Sequence, residues 1–215
     1  MRKFIGIALL IAFLPVYSQT SQAQDFQPYI GLGVGVFAVQ LKINDPLLGA
    51  SASQRNPTAG GFIKAGVDVN PYFGGEVRFG LTGDPSTNWG AGLPIGDGFV
   101  TTVPSNVSTK ISNFISYFGK IQYPFNDSFK VYALLGGTTA KFNSNLSIAG
   151  FNIVGDATKT GFSYGGGLEY KVADTVSMGV EWIEYWTNVN LGTTSKGTVT
   201  EGSFRGFSAT VNMMF

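Results

Sequence analysis

Neither cysteine nor histidine occurs anywhere in the 215 residues. Without cysteine there is no disulfide framework and no thiolate metal site. Without histidine the commonest general base is gone too. Charge is scarce: Asp, Glu, Lys and Arg make up 13% of the chain, about half the share of an ordinary soluble domain. Beyond residue 20 there is also no long apolar run, and a membrane-spanning helix needs about 18 uncharged apolar residues. Glycine, in contrast, is abundant at 30 residues, and aromatics reach 14%. Low charge, no spanning helix and plentiful glycine and aromatics together predict a β-barrel whose outside faces lipid. The length suits one domain.

The N-terminus reads as a secretory leader. Arg2 and Lys3 precede an apolar core from Phe4 to Leu14, and Ser21-Gln22-Ala23 supplies small residues for a peptidase. This apolar core is too short to span a bilayer comfortably. Residues 1–23 are therefore expected to be a cleaved signal peptide and residues 24–215 the barrel domain. Cleavage after Ala23 removes two basic residues and no acidic ones, which leaves the mature chain near neutrality. Nothing in that balance points to nucleic acid.

Eight segments alternate apolar and small or polar residues with the period of two that places successive side chains on opposite faces of a strand. They lie at 29–40, 59–70, 73–82, 110–123, 129–142, 161–172, 176–186 and 203–215. The segment at 129–142 has ambiguous phase, because both faces are partly apolar. A GxGxG in the first segment lacks the third glycine and the following helix of a dinucleotide site; glycines on one face make room inside a narrow barrel instead. Short turns are expected near 70–72, 124–128 and 173–175, and long loops near 42–57, 83–108, 143–157 and 190–200. This is the rhythm of outer-membrane barrels. A soluble eight-stranded barrel would turn its apolar faces inward and leave charges outside.

The charges decide between the two. Lys64, Asp68, Glu76, Arg78, Lys120, Glu169, Lys171 and Glu181 all fall on the face opposite the apolar one. An eight-stranded lumen is just wide enough to be filled by side chains, and mixed charges there can pair. Glu184 is a misfit: it lies above the membrane, or a bulge near Ile183 resets the phase. Aromatics form two belts, as lipid headgroups favour. Tyr72, Phe73, Tyr123, Phe129, Tyr170 and Phe215 sit by the short turns, and Phe79, Phe142, Phe162, Trp186 and Phe207 by the long loops.

With these residues in view, the chain resembles the OmpA-like and opacity-protein-like eight-stranded outer-membrane β-barrels. The resemblance spans the mature chain. It rests on GFSYGGGLEYKV at 161–172, on Glu181-Trp182 and on the last strand. It implies an all-β antiparallel transmembrane barrel in the Gram-negative cell outer membrane, with lipid and lipopolysaccharide as surroundings. It also implies that Phe207, Val211, Met213 and Phe215 form the signal read by the barrel-assembly machinery. No match to the peptidoglycan-binding domain of full-length OmpA follows the last strand up to Phe215, so tethering to the cell wall by that route is not expected.

The enzymatic barrels, namely lipid A acyltransferases, deacylases and omptin-type proteases, imply a catalytic histidine that is absent here. No catalytic residue, metal site or cofactor is therefore expected. The loop carboxylates Asp45, Asp84, Asp97 and Asp156 are isolated in sequence. Two functions remain. One is a monomeric structural or adhesive surface protein with an inert barrel, whose four loops contact a host or cell-surface ligand. The other is a small pore, with glycine-lined walls as a water path. The 83–108 loop carries an apolar set, Leu93, Ile95, Phe99, Val100, Val103 and Val107, which either contacts a ligand or folds back over the barrel mouth. A third class, passage of small apolar molecules through a lateral opening, has no distinguishing sequence feature.

Overall fold

The computed structural model describes residues 26–92, 94–149 and 151–215; the leader features at 1–23 and Leu93 lie outside the described residues. The strands are β1 (Gln27–Asp45), β2 (Ala50–Asp68), β3 (Phe73–Thr82), β4 (Ser86–Trp89), β5 (Pro94–Gly96), β6 (Phe99–Val100), β7 (Ser105–Pro124), β8 (Phe129–Ile148), β9 (Phe151–Ala173), β10 (Val176–Thr193) and β11 (Val199–Met214). Eight of them form one antiparallel ring. Its order is β1-β2-β3-β7-β8-β9-β10-β11, and β11 pairs back onto β1.

Two of the short turns form because asparagine side chains imitate the backbone of a turn. Asn70 Oδ1 accepts the N–H groups of Tyr72 and Phe73, both at 2.8 Å. Asn126 Oδ1 does the same for Ser128 and Phe129 at 2.9 and 2.8 Å. Both chain ends of the ring meet here, with Phe215 N–H donating to Pro28 O at 3.0 Å.

At the other end the structure departs from the sequence reading. Residues 42–57, 143–157 and 190–200 are mostly strand, and the segment 83–108 holds β4, the β5–β6 hairpin and the start of β7. β1 has 19 residues and β9 has 23, whereas a spanning strand needs roughly 9–11. The strands therefore run well past any bilayer as a projecting wall.

The polarity of β1 inverts along its length. In the lower half of β1 the outward residues are Ile30, Leu32, Val34 and Val36, all more than half exposed. Above Phe37 the inward residues become apolar (Phe37, Val39, Leu41, Ile43) and the outward ones polar (Gln40, Lys42, Asn44). The phase of β1 never changes; only the chemistry of its two faces swaps. A ring of exposed apolar side chains is costly in water and favoured in lipid, so the lower half sits in the bilayer and the upper half stands in water. The strand β8 settles its own ambiguity: Tyr132, Leu134, Thr138, Ala140 and Phe142 face in, and Leu135 faces out, half exposed.

Candidate functional site

The interior is stacked in layers. Nearest the short turns, Asp68 pairs with Lys120 at 2.6 Å and with Lys130 at 3.1 Å, and Lys130 reaches Glu169 at 3.0 Å. Asn212 Nδ2 donates to the free oxygen of Glu169 at 3.1 Å. The next layer is centred on Arg78, whose guanidinium pairs with both Glu76 and Glu181. Arg78 Nε donates to Glu76 Oε1 at 2.5 Å and Nη2 to Glu181 Oε2 at 2.8 Å. The carboxylates are completed by Tyr29 Oη to Glu76 at 2.8 Å, Tyr132 Oη to Glu181 at 2.9 Å, Ser208 Oγ to Glu181 at 3.1 Å, and Lys64 Nζ beside Glu76 at 3.7 Å. The rings of Phe62 and Phe118 flank the guanidinium at 4.7 and 5.2 Å.

Seven of the eight charges expected in the lumen line it. Lys171 does not: it lies at the short-turn rim, 39% exposed, beside Asp174 at 3.4 Å. Its strand phase is right, but it is one residue beyond the interior. Lys130 takes a place that the sequence reading missed, because it sat on the strand of ambiguous phase. With it the two layers hold Lys64, Arg78, Lys120 and Lys130 against Asp68, Glu76, Glu169 and Glu181, so the interior charge cancels.

Glycine makes this filling possible. Gly33 lies directly across from Phe62, Gly66 from Tyr29, Gly80 from Phe114, Gly167 from Tyr132 and Gly206 from Phe37. A side chain added at each of these would run into that ring. These five inward glycines are seats for aromatic rings.

Above Arg78 an aromatic layer closes the barrel. Tyr185 and Phe204 stack at 4.7 Å, Phe114 lies 5.2 Å from Tyr185, and Phe37 is 5.7 Å from Phe204. Trp186 is fully buried here and donates from Nε1 to Thr138 O at 2.9 Å, and Phe142 is buried as well. Both were expected in the upper lipid belt. The β10–β11 register shifts between Glu184 and Trp186; this bulge turns Trp186 inward. A bulge was expected near Ile183, and it lies just after Glu184. Glu184 keeps its outward phase but is covered by Arg205, whose Nε lies 3.3 Å away. Phe142 is inward simply because β8 is.

Over this floor lies a cavity of about 360 Å³. Its wall is the apolar inward face of the projecting strands: Leu41, Ala52, Val107, Phe142, Ile153 and Leu191, with Trp89 and Ile95 reaching in from β4 and β5. The β5–β6 hairpin is held over the mouth by Asp45. Its Oδ2 accepts Gly98 N–H at 2.8 Å and its Oδ1 accepts Leu47 N–H at 2.9 Å. Those backbone bonds, Gly98 first, hold the Asp45 carboxyl below the usual carboxylate range. Asp97 N–H donates to Thr198 Oγ1 at 2.8 Å, and Thr194 donates to the Asp97 carboxylate. The 83–108 segment thus folds back over the mouth through Ile95 and Val107, while Phe99 and Val100 stay exposed. Asp84 pairs with Lys110 at 3.1 Å and Asp156 with Lys141 at 3.7 Å. Among the expected assembly-signal residues, Phe207, Val211, Met213 and Phe215 all face outward from β11.

Solved structures with a similar fold include the attachment invasion locus protein Ail of Yersinia pestis (16% identity, 87% of this chain and 98% of that one, TM-score 0.45). Neisserial surface protein A is similar at 16% identity, covering 86% and 97%, with a TM-score of 0.45. The outer membrane protease OmpT of Escherichia coli is similar at 10% identity, covering 92% and 99%, with a TM-score of 0.48. No curated protein sequence matches the chain. The outer membrane protein beta-barrel domain matches residues 6–215. With a closed eight-stranded ring, an apolar belt and a paired interior, the chain belongs to that outer-membrane β-barrel family.

Proposed function

We propose that residues 24–215 form a non-enzymatic surface scaffold. Its barrel is a plugged anchor, and the projecting strands are its contact surface outside the cell. The observation that carries this reading is the β8–β9 ribbon. Its tip pair, Ile148↔Phe151, stands at the far end of the longest strands, and Phe151 and Val154 are 78% and 69% exposed. Exposed apolar side chains on a water-facing ribbon suit contact with another surface, and function carried on projections of a rigid scaffold is the usual arrangement. The partner class is a host or cell-surface ligand. The scaffold is proposed to act as a monomer, with outer-membrane lipid and lipopolysaccharide around the belt. Assembly is proposed to use the last strand through Phe207, Val211, Met213 and Phe215. The proteases and lipid A enzymes with barrels of this kind depend on histidine, and the sequence has none.

Replacing residues 147–152 by Asn-Gly shortens the ribbon and keeps a two-residue hairpin turn. Cells displaying this variant are expected to lose most of their adhesion to epithelial monolayers or to other cells displaying the protein. Undiminished adhesion at equal surface expression would overturn the reading.

A further inference from the structure

The chamber above the aromatic floor is apolar and roomy. At about 360 Å³ it is more than twice the ~150 Å³ of an engineered apolar cavity that stays dry and takes up benzene. At roughly 30 Å³ per water-sized group it holds a chain of about 8–12 carbons.

Its wall is split on one side. The β9–β10 ladder ends at Tyr164↔Glu184. Beyond that point β9 continues to Phe151 paired with β8, and β10 continues to Thr193 paired with β11. On the opposite side, between β2 and β4, side chains close the seam: Thr87 Oγ1 donates to Asn56 Oδ1 at 2.7 Å, and Trp89 donates to Gln54. Side chains seal the base of this gap: Ser163 Oγ donates to Tyr185 O at 2.7 Å, and Trp186 and Val189 pack against Gly161. The slot opens above that seal, at the level of Lys159, and so beyond the outward rings of Phe162 and Tyr164, which lie 6.1 Å apart at the height of lipid headgroups.

A cation stands at this slot. Lys159 shares the inward face of β9 with Ile153 and Ala157, opposite Ala140. It is exposed and has no ion-pair partner among the described residues.

We propose that the chamber binds an anionic single-chain amphiphile, with its tail in the cavity and its head group on Lys159, entering through the β9–β10 slot. Burying the tail supplies the affinity, and the lysine selects an anionic head over a neutral one. A free fatty acid and a lysophospholipid share this chemistry. The proposal goes beyond the contact-surface reading and does not depend on it, since the ribbon truncation above leaves Leu146, Ile153 and Lys159 in place.

The test uses the full mature chain in phosphatidylcholine nanodiscs freed of detergent, titrated with 11-(dansylamino)undecanoic acid and compared with empty discs. A saturable, protein-dependent fluorescence increase is expected, reversed by dodecanoate. Ala52→Trp and Ala157→Trp fill the chamber from opposite walls and are each expected to abolish it. Lys159→Glu is expected to weaken dodecanoate by about fivefold, the effect of one exposed charge contact, and to leave dodecan-1-ol unchanged. Displacement by dodecanoate alone identifies a free fatty acid as the occupant; displacement also by twelve-carbon lysophosphatidylglycerol adds bilayer lipid as a source. No saturable signal over empty discs, or an undiminished signal in both tryptophan variants when their gel mobility shows them folded, would overturn the chamber. Equal weakening of dodecanoate and dodecanol by Lys159→Glu would overturn the role of the lysine.

Discussion

Arg78 is the residue on which the filled lumen turns. It is fully buried, and it is the cation that contacts both Glu76 and Glu181. Arg78→Met keeps bulk and removes charge, which leaves two carboxylates facing each other with Lys64 as the nearest compensation. Removing one partner of a buried pair costs about 3–5 kcal/mol, and that loss is the expected result in urea unfolding of bilayer-inserted protein. An unchanged midpoint would mean that water reaches the layer and screens it. The residues of this network were legible because charge on the small face of a lipid-facing strand has nowhere else to go. Lys130 was not, since Val131 and Leu135 on one face of β8 balance Tyr132 and Leu134 on the other. Periodicity cannot rank two faces of equal hydrophobicity.

Among the elements, the spanning halves of the strands were readable and the projecting halves were not. Asn, Ser and Gly in NSNLSIAGFNIVGDA at 143–157 carry the chemistry of turns, yet Phe142, Leu146 and Ile153 keep the period of two on the inner face. What changed was the medium. Once the wall leaves the bilayer the apolar side must face in, so a pattern sought on the outer face vanishes there. Trp186 was misplaced for a related reason: a bulge adds a residue that no sequence period displays.

The β5–β6 hairpin illustrates how such an upper element is tied. Its docking bond depends on the ionised Asp45, whose folded carboxyl titrates below its unfolded value. This contribution is therefore complete above about pH 4 and is lost as pH falls through the lower folded value. Protection of the Gly98 amide, its exchange rate taken against the intrinsic rate at each pH, is expected to fall on acidification below pH 4, and Asp45→Asn should show the lower protection already at pH 7. Equal rates in the two proteins at pH 7 would remove Asp45 as the tie.

At the scale of the whole molecule, two neutral ion layers and an aromatic layer lie one above another across an eight-stranded bore. Eight strands leave room for side chains and little else, and here the glycines that might have opened a path seat Tyr29, Phe37, Phe62, Phe114 and Tyr132. Planar-bilayer recordings of the folded chain are expected to be silent. Discrete conductance steps that change in a Glu76→Gln, Arg78→Gln double variant would establish an ion path and favour the pore.

The ring also carries a consequence for how it is made. Seven of its ladders join strands that follow one another in the ring along the chain, so each can zip as soon as its second strand exists. The eighth joins Tyr29 to Met214. Until the last residues arrive, β1 therefore waits with a bare edge through the insertion of every other strand. Loop-closure entropy for so long a separation is met only at that final step. The nascent barrel is an open sheet with two sticky margins, and sealing them together is the event that commits it to the membrane.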